Sequence, residues 1–104
     1  MRRSVERSFP GDHPAAIGHF PGNPIIPGAV LLDEIVSTIA EGTSASSDRC
    51  VVQVAKFLVP VRPGDRVDIR WSMDSEGRAS FGCFLLEPER LAATGTVRLE
   101  MTAR

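Results

Sequence analysis

Between Leu32 and Ile39 the apolar positions fall at Leu32, Ile35, Val36 and Ile39, the three-and-four spacing of one helix face. Ala29, Val30, Leu31 and Ala40 make the neighbouring faces apolar too. The pattern predicts a helix from about Gly28 to Glu41 that is buried, because a helix apolar nearly all round has no face suited to water. Pro27 suits the entrance, since the N–H it lacks would be unpaired there anyway. Gly42 suits the C-terminal stop. After a polar stretch at 43–49 the period changes to two. Residues 50–58 read as a strand. Val67, Ile69, Trp71 and Met73 then alternate with Asp68, Arg70, Ser72 and Asp74, and Phe81, Cys83 and Leu85 share one face of the segment 79–86. In the last strand Leu91, Ala93, Gly95, Val97, Leu99 and Met101 alternate with polar residues. Such alternation marks strands with one dry and one wet face.

Upstream of the helix, residues 3–9 read as a first strand, ended by Pro10-Gly11-Asp12. From there to the helix the chain is punctuated by Pro14, Pro21, Pro24 and Pro27 with Gly18 and Gly22, which predicts a loop of little conformational freedom. Pro60 to Asp65, Ser75-Glu76-Gly77 and Glu87 to Arg90 read as turns. The predicted order is strand, long loop, buried helix, then four strands joined by short turns, and short turns imply an antiparallel meander. One antiparallel five-stranded sheet wrapped around one central helix gives a two-layer α+β fold. A sheet of this size is expected to leave an apolar edge or face needing cover, which predicts a homodimer or higher even oligomer.

Length and charge narrow the reading. One domain over 1–104 is the expectation for 104 residues. Twelve basic and thirteen acidic residues nearly cancel, to a net charge of −1, and no basic stripe interleaved with aromatics points to nucleic acid. Arg2, Arg3 and Arg7 read as a solvated strand face. No apolar run is long enough to span a membrane, and the start carries no export pattern, so the expected compartment is the cytoplasm. Cys50 and Cys83 then read as reduced thiols. His13, His19 and the two cysteines lack zinc-ligand spacing, so no metal and no cofactor is expected.

The chemistry concentrates in Gly18-His19-Phe20-Pro21-Gly22-Asn23-Pro24-Ile25-Ile26-Pro27-Gly28. A histidine on a stiff loop, a helix start with unpaired N–H groups and Asp33 one turn inside that helix are the parts needed for proton chemistry beside a carbonyl. The run His19 to Gly28 resembles the signature of the hotdog-fold 3-hydroxyacyl-[acyl-carrier-protein] dehydratases. Lys56-Phe57 followed by Pro60-Val61-Arg62-Pro63-Gly64-Asp65 is similar to a second segment of that family. The resemblance implies a hotdog fold and conversion of a 3-hydroxyacyl thioester to the trans-2-enoyl thioester. It assigns His19 as general base, the Gly28 N–H as donor to the thioester carbonyl, the Ile25 carbonyl as the group orienting His19, and Asp33 as the acid. It further implies a site between two subunits, with histidine and acid from different copies. The expected partner is an acyl carrier protein bearing a phosphopantetheine thioester.

Three features depart from that family. Ser37 stands where relatives usually carry the glutamine that helps hold the acid. Glu34 follows Asp33, and neighbours on a helix point about 100° apart, so only one can face a given site. The chain contains no tyrosine, so no tyrosine gates an acyl tunnel. These departures point outside the main fatty-acid cycle, for example to polyketide or aryl-polyene synthesis. Two other readings stay open at this stage: an acyl thioesterase on the same fold, or a non-catalytic carrier-binding or partner subunit. Lys56 and Phe57 read as a strand charge and a core aromatic, His13 as an ordinary loop residue, and Trp71 as core.

Overall fold

The computed structural model describes residues 2–11, 24–43 and 45–101, without the side chains of 45–48 and 101. The elements run β1 (Arg2–Ser8), α1 (Gly28–Thr43), β2 (Ala45–Phe57), β3 (Arg66–Met73), β4 (Arg78–Leu85) and β5 (Arg90–Met101). All five strands join one antiparallel sheet in the order β1-β3-β4-β5-β2. The α+β hotdog architecture read from the sequence is the architecture observed.

The core lies between α1 and one face of the sheet. Ile35 and Ile39 from the helix and Val67, Ile69, Ala79, Cys83, Ala92 and Val97 from the sheet are all fully buried. Val67 and Ile69, and likewise Ala79 and Cys83, sit at alternate positions of their strands, so the pleat sends them to the helix side. Burying a side chain the size of Ile stabilises by about 1.5–3 kcal/mol, which makes this layer the main source of stability. Trp71 is in the core, as its alternation predicts.

The structure corrects the meander in one place. β3, β4 and β5 are consecutive neighbours, but β2 pairs with β5 at the far edge and β1 takes the place beside β3. The connection from Leu58 to Asp65 is eight residues that include a turn, closed by Asp65 N–H donating to the Arg62 carbonyl at 3.0 Å, and it crosses the ends of the two intervening strands. Ile26 N–H donates to the Val61 carbonyl at 2.7 Å, so this crossing also anchors the entrance of α1. The polar stretch after the helix is shorter than expected as well, with β2 already begun at Ala45.

Three side-chain placements differ from simple alternation. Cys83 pairs with Ala93 but Phe84 pairs with Leu91, so a bulge removes Ala92 from the register. Ala92 is thereby buried and Leu91 moves to the outer face beside Phe84. Gly42 does not end the helix, which continues to Thr43. It is glycine because the Trp71 ring lies on it, within 2.6 Å of where a Cβ would sit. Gly95 faces the β2 irregularity between Val52 and Val54, where a Cβ would lie 2.1 Å from the Val54 carbonyl oxygen. A bulge of this kind brings backbone against backbone, and only glycine leaves the space.

The helix is less enclosed than its composition predicts. Leu31, Ile35, Val36, Ile39 and Ala40 are buried, but Ala29, Asp33 and Glu41 are exposed and Val30 and Leu32 only half-buried. A single five-stranded sheet covers one side of a helix and leaves the other bare. Arg7 of β1 grips the rim of the covered side. Its guanidinium pairs with Glu34 at 3.3 Å and Glu41 at 2.8 Å and donates to the Thr38 hydroxyl at 3.1 Å. Arg7 is therefore a fastener between β1 and α1 and not merely a solvated charge, although partly exposed pairs of this kind contribute about 1 kcal/mol or less each.

Candidate active site at the start of the helix

Pro24 and Pro27 fix the backbone on the approach to α1, and the Val61 carbonyl fixes Ile26. The first helical bonds are made by Val30 and Leu31, whose N–H groups both donate to the Pro27 carbonyl at 3.0 Å. Gly28 N–H and Ala29 N–H make no hydrogen bond among the described residues. These are the orphan donors that every helix start leaves, at the positive end of the helix dipole.

Beside them lies a cleft of about 370 Å³ walled by Ile25, Ile26, Gly28, Leu31, Phe57 and Leu58, with Val59, Pro60 and Val61 behind. Among the described residues its lining carries no charged side chain. An apolar cleft with a few convergent backbone donors is the usual form of a site for a small, largely apolar ligand. A larger groove of about 880 Å³ lies on the sheet face away from the helix, floored by Ser72, Ser80, Gly82 and Thr94. It holds none of the residues that the sequence nominates.

Two of the nominated residues meet in the smaller cleft. Gly28 opens the helix there, and Ile25 is half-buried in its wall with a carbonyl that accepts no hydrogen bond among the described residues. His19 and His13 lie outside the described residues. Asp33 is one turn into α1, exposed, without an ion pair or hydrogen bond among the described residues, and is not part of the cleft lining of its own chain. Glu34 is engaged by Arg7, so of the two adjacent acids Asp33 is the one left without a partner. Ser37 is half-buried on the same helix.

Phe57 is where the sequence reading falls short. It is not a core aromatic but a half-exposed ring at the end of β2, forming one wall of the cleft. The strand end that carries it is fastened, since Leu58 N–H and Val59 N–H donate to the Ala92 carbonyl at 2.7 and 3.3 Å. Contact between the end of β2 and the start of α1 is long-range, and no local period announces it.

The thiols are not part of the site. Burial pushes the Cys83 thiol up to about 12 and also raises Cys50. Both are free and poorly reactive, because the thiolate is the nucleophile. Among the described residues no cluster of His, Cys, Asp and Glu is arranged to hold a metal ion, and no helix is long and apolar enough to cross a membrane.

One helix packed on a five-stranded antiparallel sheet in this order is the architecture of the hotdog class of domains. Within that class the chain belongs to the ApeI-like dehydratase family, whose profile, "ApeI dehydratase", matches residues 2–96. The 3-hydroxyacyl-[acyl-carrier-protein] dehydratase FabZ of Wolbachia sp. subsp. Drosophila simulans is 30% identical over 95 residues, covering 83% of this chain and 66% of that protein. The chain thus spans somewhat under two thirds of this relative's length, and 41% of the FabZ of Ehrlichia chaffeensis. Among solved structures, the dehydratase heterocomplex ApeI:P from Xenorhabdus doucetiae aligns with a TM-score of 0.74 at 21% identity, over 94% of this chain and 86% of the other. The (R)-hydratase of A. caviae involved in PHA biosynthesis aligns with a TM-score of 0.71 at 14% identity, over 98% and 95%. At such identities the structures speak for the fold.

Proposed function

We propose that this protein, folded as one domain, dehydrates a 3-hydroxyacyl thioester carried on an acyl carrier protein to the trans-2-enoyl thioester. The observation that carries the reading is the pair of amides at Gly28 and Ala29, without an acceptor among the described residues, opening on an apolar cleft directly after the His19-to-Gly28 signature. Membership of the ApeI-like dehydratases supports it.

In this reading the thioester carbonyl sits against the Gly28 N–H. As the C2–H bond breaks, its electron pair moves toward the carbonyl oxygen, and a fixed donor at the positive end of a helix stabilises that charge. One such donor contributes on the order of 3 kcal/mol to lowering a barrier of this type. His19 takes the proton, since a neutral imidazole with a reference pKa near ~6.5 is a competent base at neutral pH. The Ile25 carbonyl holds the other ring nitrogen. The electron pair then forms the C2–C3 double bond, and the C3 hydroxyl departs as water with a proton from Asp33.

The acid comes from a second copy of the chain. Asp33 is exposed and has no partner among the described residues, and β2 is an edge strand with Val51, Val52 and Val54 bare to solvent at 60%, 43% and 48%. Long apolar edges of that kind are closed by another strand. A homodimer paired through β2, in the reducing cytoplasm that suits two free cysteines, completes the reading.

The test is to follow enoyl absorbance after adding 3-hydroxyacyl thioesters to the purified protein. Turnover is expected from the wild type and is lost in His19→Ala and Asp33→Ala. Mixing those two variants restores about a quarter of the sites, because a hybrid dimer carries one site with both groups intact. Release of free thiol without enoyl product points instead to a thioesterase. No turnover at any chain length from folded dimer overturns the proposal.

A further inference from the structure

We infer that Phe57 is a specificity-determining residue, whose ring restricts the acyl unit beside the carbonyl to unbranched carbon. The inference rests on the reading of the cleft given above and adds to it a substrate class.

The contact that carries it is between Phe57 and Gly28. A Cβ placed on Gly28 would lie 3.2, 3.3 and 3.4 Å from three atoms of the Phe57 ring. The backbone at Gly28 is not in the left-handed region, which among the described glycines is occupied by Gly64 and Gly77. Position 28 is therefore open to a side chain by conformation and crowded by the ring, which would have to give by a few tenths of an ångström to admit one. The ring and the Gly28 amide occupy one corner of the cleft, and no other aromatic side chain lines it among the described residues. An acyl group whose carbonyl oxygen meets the Gly28 N–H places C2 and C3 within reach of that ring. A hydrogen on C2 fits beside it, whereas a methyl branch competes with the ring for the space that a Cβ at Gly28 would fill.

The two residues after Phe57 donate to the Ala92 carbonyl, which ties the backbone behind the ring to β5. Phe57 is about half exposed as a residue, so it is not a core aromatic. The ring acts on the acyl group through bulk and touches none of the proton-carrying groups on the described residues.

Butyryl-pantetheine and 2-methylbutyryl-pantetheine test this directly, since without a 3-hydroxyl neither can be dehydrated. Their binding is measured by calorimetry on the wild-type protein, Phe57→Leu and Phe57→Ala. The wild type is expected to prefer the unbranched thioester about tenfold, the discrimination a single methyl supports in a shaped pocket. Phe57→Ala removes the preference and Phe57→Leu lies between. Turnover of 3-hydroxybutyryl and 2-methyl-3-hydroxybutyryl thioesters should show the same change in the ratio of kcat/KM.

A ratio that stays the same in Phe57→Ala, or a uniform loss for both ligands, overturns the inference while leaving dehydration intact. Failure of both thioesters to bind the wild type overturns it too. Discrimination that disappears in Phe57→Ala, in a protein that dehydrates nothing, sustains the role of Phe57 and defeats the proposed reaction. The geometric premise has its own check in thermal melting. Gly28→Ala should lower Tm, and adding Phe57→Ala should restore most of the loss; absence of that rescue counts against the inference.

Discussion

β3 and β2 draw on similar residues and use them differently. In β3, Val67, Ile69 and Trp71 are buried and Met73 half-buried, while Asp68, Arg70 and Ser72 face outward. In β2, Val51 and Val52 are adjacent, an irregularity follows at Gln53, and Val51, Val52, Val54 and Phe57 are all exposed. Strict alternation next to two neighbouring strands turns apolar side chains into protomer stability. Apolar residues on both faces of an edge strand contribute little to their own chain and much to whatever covers them. Protomer stability is thus concentrated in strands such as β3, while β2 leaves its apolar side chains to solvent.

The sharpest way to probe the first half of that contrast is the buried layer. Ile39→Ala, at a fully buried position of α1, should cost about 3 kcal/mol by the transfer and cavity terms, read as a lowered urea midpoint. A cost near zero would mean that the helix is not seated as described. The second half is probed by Val52→Asp. It should move the unfolding free energy of the isolated protomer by no more than about 0.5 kcal/mol, as for other exposed positions, yet shift the sedimentation pattern from dimer to monomer. A dimer that survives the change locates the association elsewhere.

The smallest effect is expected far from both strands' apolar faces, in the turn after β3. The Asp74 carboxylate accepts from Arg78 N–H and Glu76 N–H at 2.9 and 2.8 Å and from the Arg78 guanidinium at 3.0 Å. Those bonds, the one from Arg78 N–H first, hold it below the ordinary 3.8. A depressed carboxyl contributes stability that is present above its unfolded pKa and lost as pH falls through the folded one. Wild type should therefore be slightly more stable than Asp74→Asn at neutral pH, the difference vanishing toward about pH 2. A gap that persists in acid would assign the effect to something other than ionisation.

Much of the fold was readable because it is local. The i, i+3, i+4 spacing of Leu32 to Ile39 and the alternation from Val67 to Leu85 report directly on which side of each element is dry. The candidate site was readable for a different reason, since the run from His19 to Gly28 carries a family likeness that no period supplies. The placement of Gly28 in a cleft with Ile25 agrees with it. What escaped depends on contacts between distant parts of the chain. The exchange of Ala92 for Leu91 needs the register of β4 against β5. The reason for glycine at 42 needs the position of Trp71. Phe57 was assigned to the core because an aromatic at the end of a strand usually goes there, and only the meeting of β2 with the start of α1 shows it as a wall of the cleft. The exposure of Asp33 was missed because composition describes a helix without saying how many sheets will cover it.

The tryptophan that rests on Gly42 is the only one in the chain, and there is no tyrosine. Its emission therefore comes from the seam where the last turn of α1 meets β3. Fluorescence of the unlabelled protein reports on the docking of the helix end, so the lifting of the helix from the sheet can be timed without a label.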